Sequence, residues 1–196
     1  MNHDEPLRTF LIAGFAIVFP VAMFFRIRSQ ATREKLDRRQ EGWFILVTLR
    51  LAGLILWVGL FAYMINPASM AWSSVPLPTW FRWAGAGVWV IGALLMIWTL
   101  HSLGKNLTDT VVTRKEHTLV TRGPYRWVRH PFYVCAGLLI FASSLIAANW
   151  FIFAGIAAFL FLIVLRTRTE EEKLLARFGD GYREYMERTG RFWPKF

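Results

Sequence analysis

Five apolar stretches, Phe10 to Phe25, Trp43 to Ile65, Trp83 to Leu100, Pro131 to Ala148 and Phe151 to Leu165, leave this chain few ways to fold. Each approaches the roughly 20 residues that a helix needs to cross a bilayer. The positive mean hydropathy of +0.37 and a hydrophobic share of 55% fit a compact membrane protein better than a soluble domain. The expected architecture is all-α and multi-pass. A single integral membrane domain occupies residues 1–196, with about five transmembrane helices, three in 1–104 and two in 105–196. The first and last runs are short, so flanking residues or tilt complete them. Phe10 to Phe25 reads as a retained helix and not a signal peptide, because its arginines follow the apolar run and no small-residue cleavage site is evident. Pro20 predicts a kink within it.

Charge sets the expected topology. The segment from Arg26 to Gly42 carries six Lys and Arg, Leu103 to Arg129 another six, and Arg166 to Phe196 eight, whereas Asn66 to Thr79 carries none. The positive-inside rule then puts the three basic regions and the C-terminus in the cytoplasm, and the N-terminus outside, most simply in a prokaryotic cytoplasmic membrane. The net charge of +10 is read as serving that rule and anionic lipid headgroups, not nucleic acid. Arg50 lies within two turns of the cytoplasmic end of its span and is expected to snorkel. Arg82, beside Trp80 and Trp83, reads as an interfacial anchor. The lone Cys135 excludes an intramolecular disulfide and a CxxC metal site, and no metal is expected. Only Asn149 and Trp150 separate the last two spans, which predicts a tight helical hairpin. The small residues Ala136, Gly137, Ala154, Gly155 and Ala158 are expected to permit its close packing.

Polar chemistry concentrates in two places, both expected to face the cytoplasm. The first is HTLVTRGPYRWVRHPFY, His117 to Tyr133, where arginines, histidines and aromatic rings run directly into the fourth span. Gly123-Pro124 marks a turn, and Pro131 suits the first turn of a helix whose N-terminal N–H groups favour an anion. The second is Arg166 to Glu172, directly after the fifth span, in which Arg166 and Glu170 stand four apart on one helix face. Leu174, Leu175, Phe178, Tyr182, Tyr185 and Met186 then predict an amphipathic helix that Gly179 and Gly181 interrupt. Taken singly, His130 is an ordinary capping histidine and Tyr125, Trp127 and Tyr133 an aromatic belt. The hairpin, however, brings the start of one helix and the end of the next to the same membrane face, so the two clusters become one expected pocket.

The two-part pattern, HTLVTRGPYRWVRHPFY followed a membrane hairpin later by RTRTEEEKLLARFGDGYREYMERTGRFWP, resembles the isoprenylcysteine carboxyl methyltransferase family and its prokaryotic relatives in the phospholipid methyltransferase group. The resemblance runs from about Lys105 to the C-terminus. It implies a cytoplasmic pocket for S-adenosyl-L-methionine in the C-terminal half. Its cofactor contacts would be His117, Thr118, Leu119, Val120, Tyr125, His130, Pro131, Phe132, Tyr133 and Glu170, and Arg166 would orient the acceptor. Arg166 and Glu170 are the expected catalytic residues. Cys135 departs from the glycine common in eukaryotic relatives at this place, which bears on the acceptor more than on the cofactor.

Methyl transfer from a sulfonium is catalysis by positioning, so few titrating residues are needed. The implied function is methylation of a lipophilic small-molecule or prenylated acceptor, foremost a carboxylate, reached through the membrane lipids. A carboxylate or thiolate is already nucleophilic, whereas an ammonium headgroup first needs a base such as Glu171 or His130, or a bulk-water relay. Three alternatives remain open: a phospholipid amine N-methyltransferase, an NADPH-dependent enzyme of the sterol-reductase type, which shares RHPxY, and a non-enzymatic membrane scaffold.

Overall fold

A computed structural model describes residues 4–30, 43–104 and 119–195. The expected basic runs at 31–42 and 105–118, with His117 and Thr118, lie outside the described residues. All five apolar stretches are helices: α1 (Asp4–Gln30), α2 (Trp43–Ile65), α3 (Thr79–Leu103), α4 (Pro131–Ala147) and α5 (Trp150–Phe178), followed by the short α6 (Asp180–Arg188). Helical 3-10 turns occupy Pro67–Ser73 and Gly123–Arg126. Helix α1 outruns its apolar core at both ends because Asp4 and Glu5 stand in its first turn and Arg28 in its last, where each complements the helix dipole. Pro20 lies inside the helix without ending it. Among the described residues, α1, α2, α3 and α5 are long and apolar enough to cross a membrane. Helix α4, at 17 residues, rises about 25 Å.

Each helix reverses the one before it. At one end of the bundle Phe25 meets His101 edge-on, with ring centroids 6.3 Å apart, and Trp98 of α3 meets Trp127 at 5.7 Å, just before α4 begins. At the opposite end Arg82 draws four helices together. Its Nη1 donates to Asp4 of α1 at 2.6 Å, its Nε to the Ile146 carbonyl of α4 at 2.9 Å, and its Nη2 to the Tyr63 hydroxyl of α2 at 3.4 Å. Arg82 is only 8% exposed, so it is a buried tie and not the interfacial anchor expected from its tryptophan neighbours. One turn inside α3, its guanidinium finds three acceptors nearer than water, and each comes from a different helix.

The hairpin between α4 and α5 is as tight as its two-residue link requires. Ala148 takes a left-handed φ of 47°, and its carbonyl accepts from Val75 N–H at 2.7 Å. Asn149 caps α5 by accepting from Ile152 N–H at 3.1 Å, while its Nδ2 donates to Ser73 Oγ at 2.8 Å. Of the small residues assigned to this hairpin, Gly137 serves it, since a Cβ there would stand 3.0 Å from Leu160 of α5. Gly155 instead admits Leu56 of α2, and Ala154 and Ala158 are exposed, because α5 leans on α2 as well as on α4. Helix α4 packs most extensively on α3, where Leu145 meets Gly85 and Leu139 meets Gly92.

Replacing Arg82 by Leu should strand the Ile146 carbonyl and release Asp4, at a cost of about 2 kcal/mol. Arg82→Lys should not restore it, because an ammonium cannot reach three acceptors as a planar fork does. Thermal unfolding midpoints of the purified protein in detergent check both.

Candidate functional site

At the end where α4 begins, the sequence builds a polar floor under an apolar bundle. Gly123 adopts φ 60° and opens the turn that carries Pro124 and Tyr125 into the protein, where both are buried. Pro131 then starts α4, and His130 at its N-cap makes no side-chain capping bond, so the first N–H groups of this helix face the site uncapped. The apolar run of α5 ends at Leu165, but the helix continues as a polar extension whose buried stripe, Ile156, Ile163, Thr167, repeats at helical spacing. The next member of that stripe is Glu171.

Glu171 is 4% exposed and receives donors from three directions. Arg129 Nε donates to its Oε1 at 2.7 Å, and His130 Nε2 lies 3.3 Å from the same oxygen. Arg191 grips Oε2 through both Nε, at 2.9 Å, and Nη2. Arg129 also donates from Nη1 to the carbonyls of Met186 and Thr189. Burial alone would raise the Glu171 carboxyl. The hydrogen bonds from His130, Arg191 and Arg129 outweigh it and, with the Arg129 charge, hold this group beyond the membrane-spanning run at a pKa of about 2.

These contacts strap the chain beyond α6 onto the start of α4. Arg129 N–H donates to Gly190 O at 2.9 Å, His130 N–H to Arg191 O at 3.1 Å, and Gly190 N–H to Trp127 O at 3.2 Å. The expected amphipathic helix is thereby divided. Gly179, at φ 55°, ends α5, and α6 folds back so that Tyr182 and Tyr185 are buried, with the Tyr185 hydroxyl donating to the Tyr125 carbonyl at 2.6 Å. Only Gly179 makes the break, since Gly181 lies within α6.

Above this floor, the Tyr133 hydroxyl donates to Glu170 Oε2 at 3.0 Å. The His130 ring stacks on Tyr133 with centroids 5.7 Å apart and faces Phe192 at 5.9 Å on another side. Burial, with the charge of Glu170 next, pushes the Tyr125 hydroxyl well above its ordinary range, so it stays protonated. The structure thus gathers Tyr125, His130, Pro131, Tyr133 and Glu170. Phe132, half-buried, packs edge-on to Tyr133 at 5.9 Å, and Arg166 is half-buried one turn before Glu170. Leu119 and Val120 are half-buried just before the turn.

The family model for isoprenylcysteine carboxyl methyltransferases matches residues 85–176, the stretch from α3 to the polar extension of α5. Through this region, a little under half of the chain, it is similar to that family. Among relatives, it is 36% identical over 123 residues to the cobalt-zinc-cadmium resistance protein CzcN of Cupriavidus metallidurans, covering 58% of this chain and 54% of that protein. It is 32% identical over 121 residues to the human protein-S-isoprenylcysteine O-methyltransferase, covering 60% and 42%. A solved structure of the eukaryotic intramembrane Ras methyltransferase ICMT superposes with a TM-score of 0.56 at 29% identity, over 74% of this chain and 51% of that one. The chain spans about half the length of the curated relatives it matches. Among the described residues, no three His, Cys, Asp or Glu side chains gather as a metal site.

The family region contains Arg129, His130 and Glu171 but ends before Tyr182 and Arg191, so the strap belongs to the part of the chain beyond the match. Reasoning from sequence singled out Glu170 and treated Glu171 only as a possible base. The spacing of Ile163, Thr167 and Glu171 was the available signal, for it puts Glu171 on the buried face and Glu170 beside it. Nothing local marks Arg191, whose partner stands 20 residues away.

Two outcomes test this floor. Because the folded carboxyl lies below its ordinary 4.5, Glu171 contributes stability in full above that pH and loses it as pH falls toward 2. Thermal midpoints of the wild type should drop steeply below pH 4.5. Those of Glu171→Gln should start lower, reflecting a loss of about 3–5 kcal/mol, and show a shallower acid slope. Tyr182 is 1% exposed, and its hydroxyl has no hydrogen-bond partner among the described residues. Tyr182→Phe should therefore stabilise the protein by about 1 kcal/mol, read in the same melts.

Proposed function

We propose that this chain is an integral membrane methyltransferase that uses S-adenosyl-L-methionine to methylate a carboxylate on a lipophilic, isoprenylcysteine-like acceptor. The observation that carries the reading is the convergence of an uncapped helix N-terminus and the Tyr133–Glu170 pair at one end of an apolar bundle, the end that the charge pattern assigns to the cytoplasm. The donor set fits the cofactor. The first N–H groups of α4 would suit its carboxylate, Glu170 would accept from its ammonium, and the Tyr125 hydroxyl, which stays protonated, would be a neutral donor. His117, Thr118, Leu119 and Val120 are assigned to the same pocket by family resemblance. When bound, the cofactor supplies a methyl group already activated on a sulfonium.

The chain's own work is then to hold and align. Arg166, a planar fork on the same α5 face as Glu170, orients the acceptor carboxylate. His130 and Tyr133 keep the floor rigid through ring stacking, and Phe132 and the helices shield the transfer from water. The state of Glu171 favours a carboxylate acceptor over an amine. An ammonium must be deprotonated before it attacks, and a carboxyl held at about 2 by three donors is too weak a base to take that proton. The His130 ring is engaged by the same carboxylate.

Isothermal titration with S-adenosylhomocysteine in detergent should show saturable binding, and Glu170→Ala should weaken it by about tenfold or more. Transfer of labelled methyl from the cofactor to a short farnesylated cysteine with a free carboxylate should exceed transfer to phosphatidylethanolamine. Absence of titration heat from well-folded protein, or the reverse acceptor order, would defeat the proposal.

A further inference from the structure

A second polar site lies at the other end of the bundle, about 25 Å along α4 from His130. It is a cavity of about 640 Å³ where the start of α1, the end of α2, the loop over 66–77 and the α4–α5 turn meet. Its charged lining is Asp4, Glu5, Arg8 and Arg82. Two of these charges neutralise each other, because Arg82 is consumed by Asp4, Ile146 and Tyr63. Arg8 and Glu5 are left. Nε of Arg8 is tethered to the Met64 carbonyl at 2.7 Å, and its terminal nitrogens have no hydrogen-bond partner among the described residues. Glu5 is exposed, and among the described residues it too has no ion-pair partner. Standing three apart on α1, the two share one helix face and yet make no ion pair with each other.

The level of the cavity in the membrane is marked by indoles. Trp80 is 71% exposed and Trp72 62%, and Trp83 and Trp150 are also exposed at this end. Exposed tryptophans gather where headgroups meet hydrocarbon. A lining with one unmatched cation and one unmatched anion suits a ligand that carries both charges. A singly anionic headgroup would satisfy Arg8 but face Glu5, whereas a zwitterion satisfies the two together. The apolar part of the lining, Met70, Val75, Leu77 and Ala148, suits the glyceryl end of such a ligand.

We infer that this cavity binds a phosphoethanolamine group, its phosphate on Arg8 and its primary ammonium on Glu5, as presented by a membrane phospholipid. The ammonium matters because it can donate hydrogen bonds to a carboxylate, which a trimethylated choline cannot. This site is separate from the methyl-donor pocket, so it stands or falls independently of the proposed activity.

The test is native mass spectrometry of the detergent-solubilised protein, after incubation with equimolar phosphatidylethanolamine, phosphatidylcholine and phosphatidylglycerol of matched chains. Phosphatidylethanolamine should be retained about tenfold over each of the others, the worth of one charge-assisted contact. Glu5→Gln, a change at an exposed position, should reduce its retention to that of phosphatidylcholine. Arg8→Gln should lower both, and Arg8→Lys, which keeps the charge, should restore them in part. Displacement by soluble glycerophosphoethanolamine at equal concentration would assign the site to the free headgroup, and resistance to it would assign the lipid. Retention of phosphatidylglycerol equal to that of phosphatidylethanolamine, or an unchanged preference in Glu5→Gln, overturns the inference.

Discussion

One buried carboxylate organises the chemical end of this protein. Glu171 joins the segment before α4, the polar extension of α5 and the chain after α6, three pieces that no apolar contact would hold in register. Removing a carboxylate from water is costly. The cost is met because Arg129, His130 and Arg191 between them occupy both of its oxygens. Arg129 in turn satisfies two carbonyls of the α6 end. The floor thus ties these three pieces together beneath the α4 N-terminus and the Tyr133–Glu170 pair.

The same physics recurs at the opposite end with a different sign. There the buried group is the guanidinium of Arg82, and its acceptors come from α1, α2 and α4. Between these two polar ends the bundle is held by side chains packed on small residues, as membranes demand when lipid competes equally for every apolar surface. The ends therefore supply specificity of arrangement that a purely hydrophobic middle cannot. Each also leaves polar groups near a membrane surface, which is where charged ligands attached to apolar bodies are met.

Division of labour between adjacent residues explains the chemistry best. Glu170 and Glu171 differ by about 100° around α5. One accepts from Tyr133 at the helix surface, and the other is locked in the floor as a permanent anion. In the proposed reading, the locked carboxylate of Glu171 is withdrawn from proton transfer, which suits an acceptor that arrives already ionised.

The apolar runs announced all five helices of the bundle, four of them long enough to cross a membrane, and the two-residue link at Asn149 and Trp150 sufficed to bring Glu170 near Tyr133. Both are local consequences of chain length and helical geometry. The strap formed by Gly190 and Arg191 and the burial of Arg82 were not legible. They depend on partners 20 to 78 residues distant, for which a linear pattern carries no signal. Helix α5 shows the boundary most plainly. Its hydrophobicity, its length and the face of its buried stripe follow from its own residues, but that a carboxylate could stay ionised on that stripe was decided only when α6 and the tail closed over it, because burial of a charge is settled by the groups that surround it.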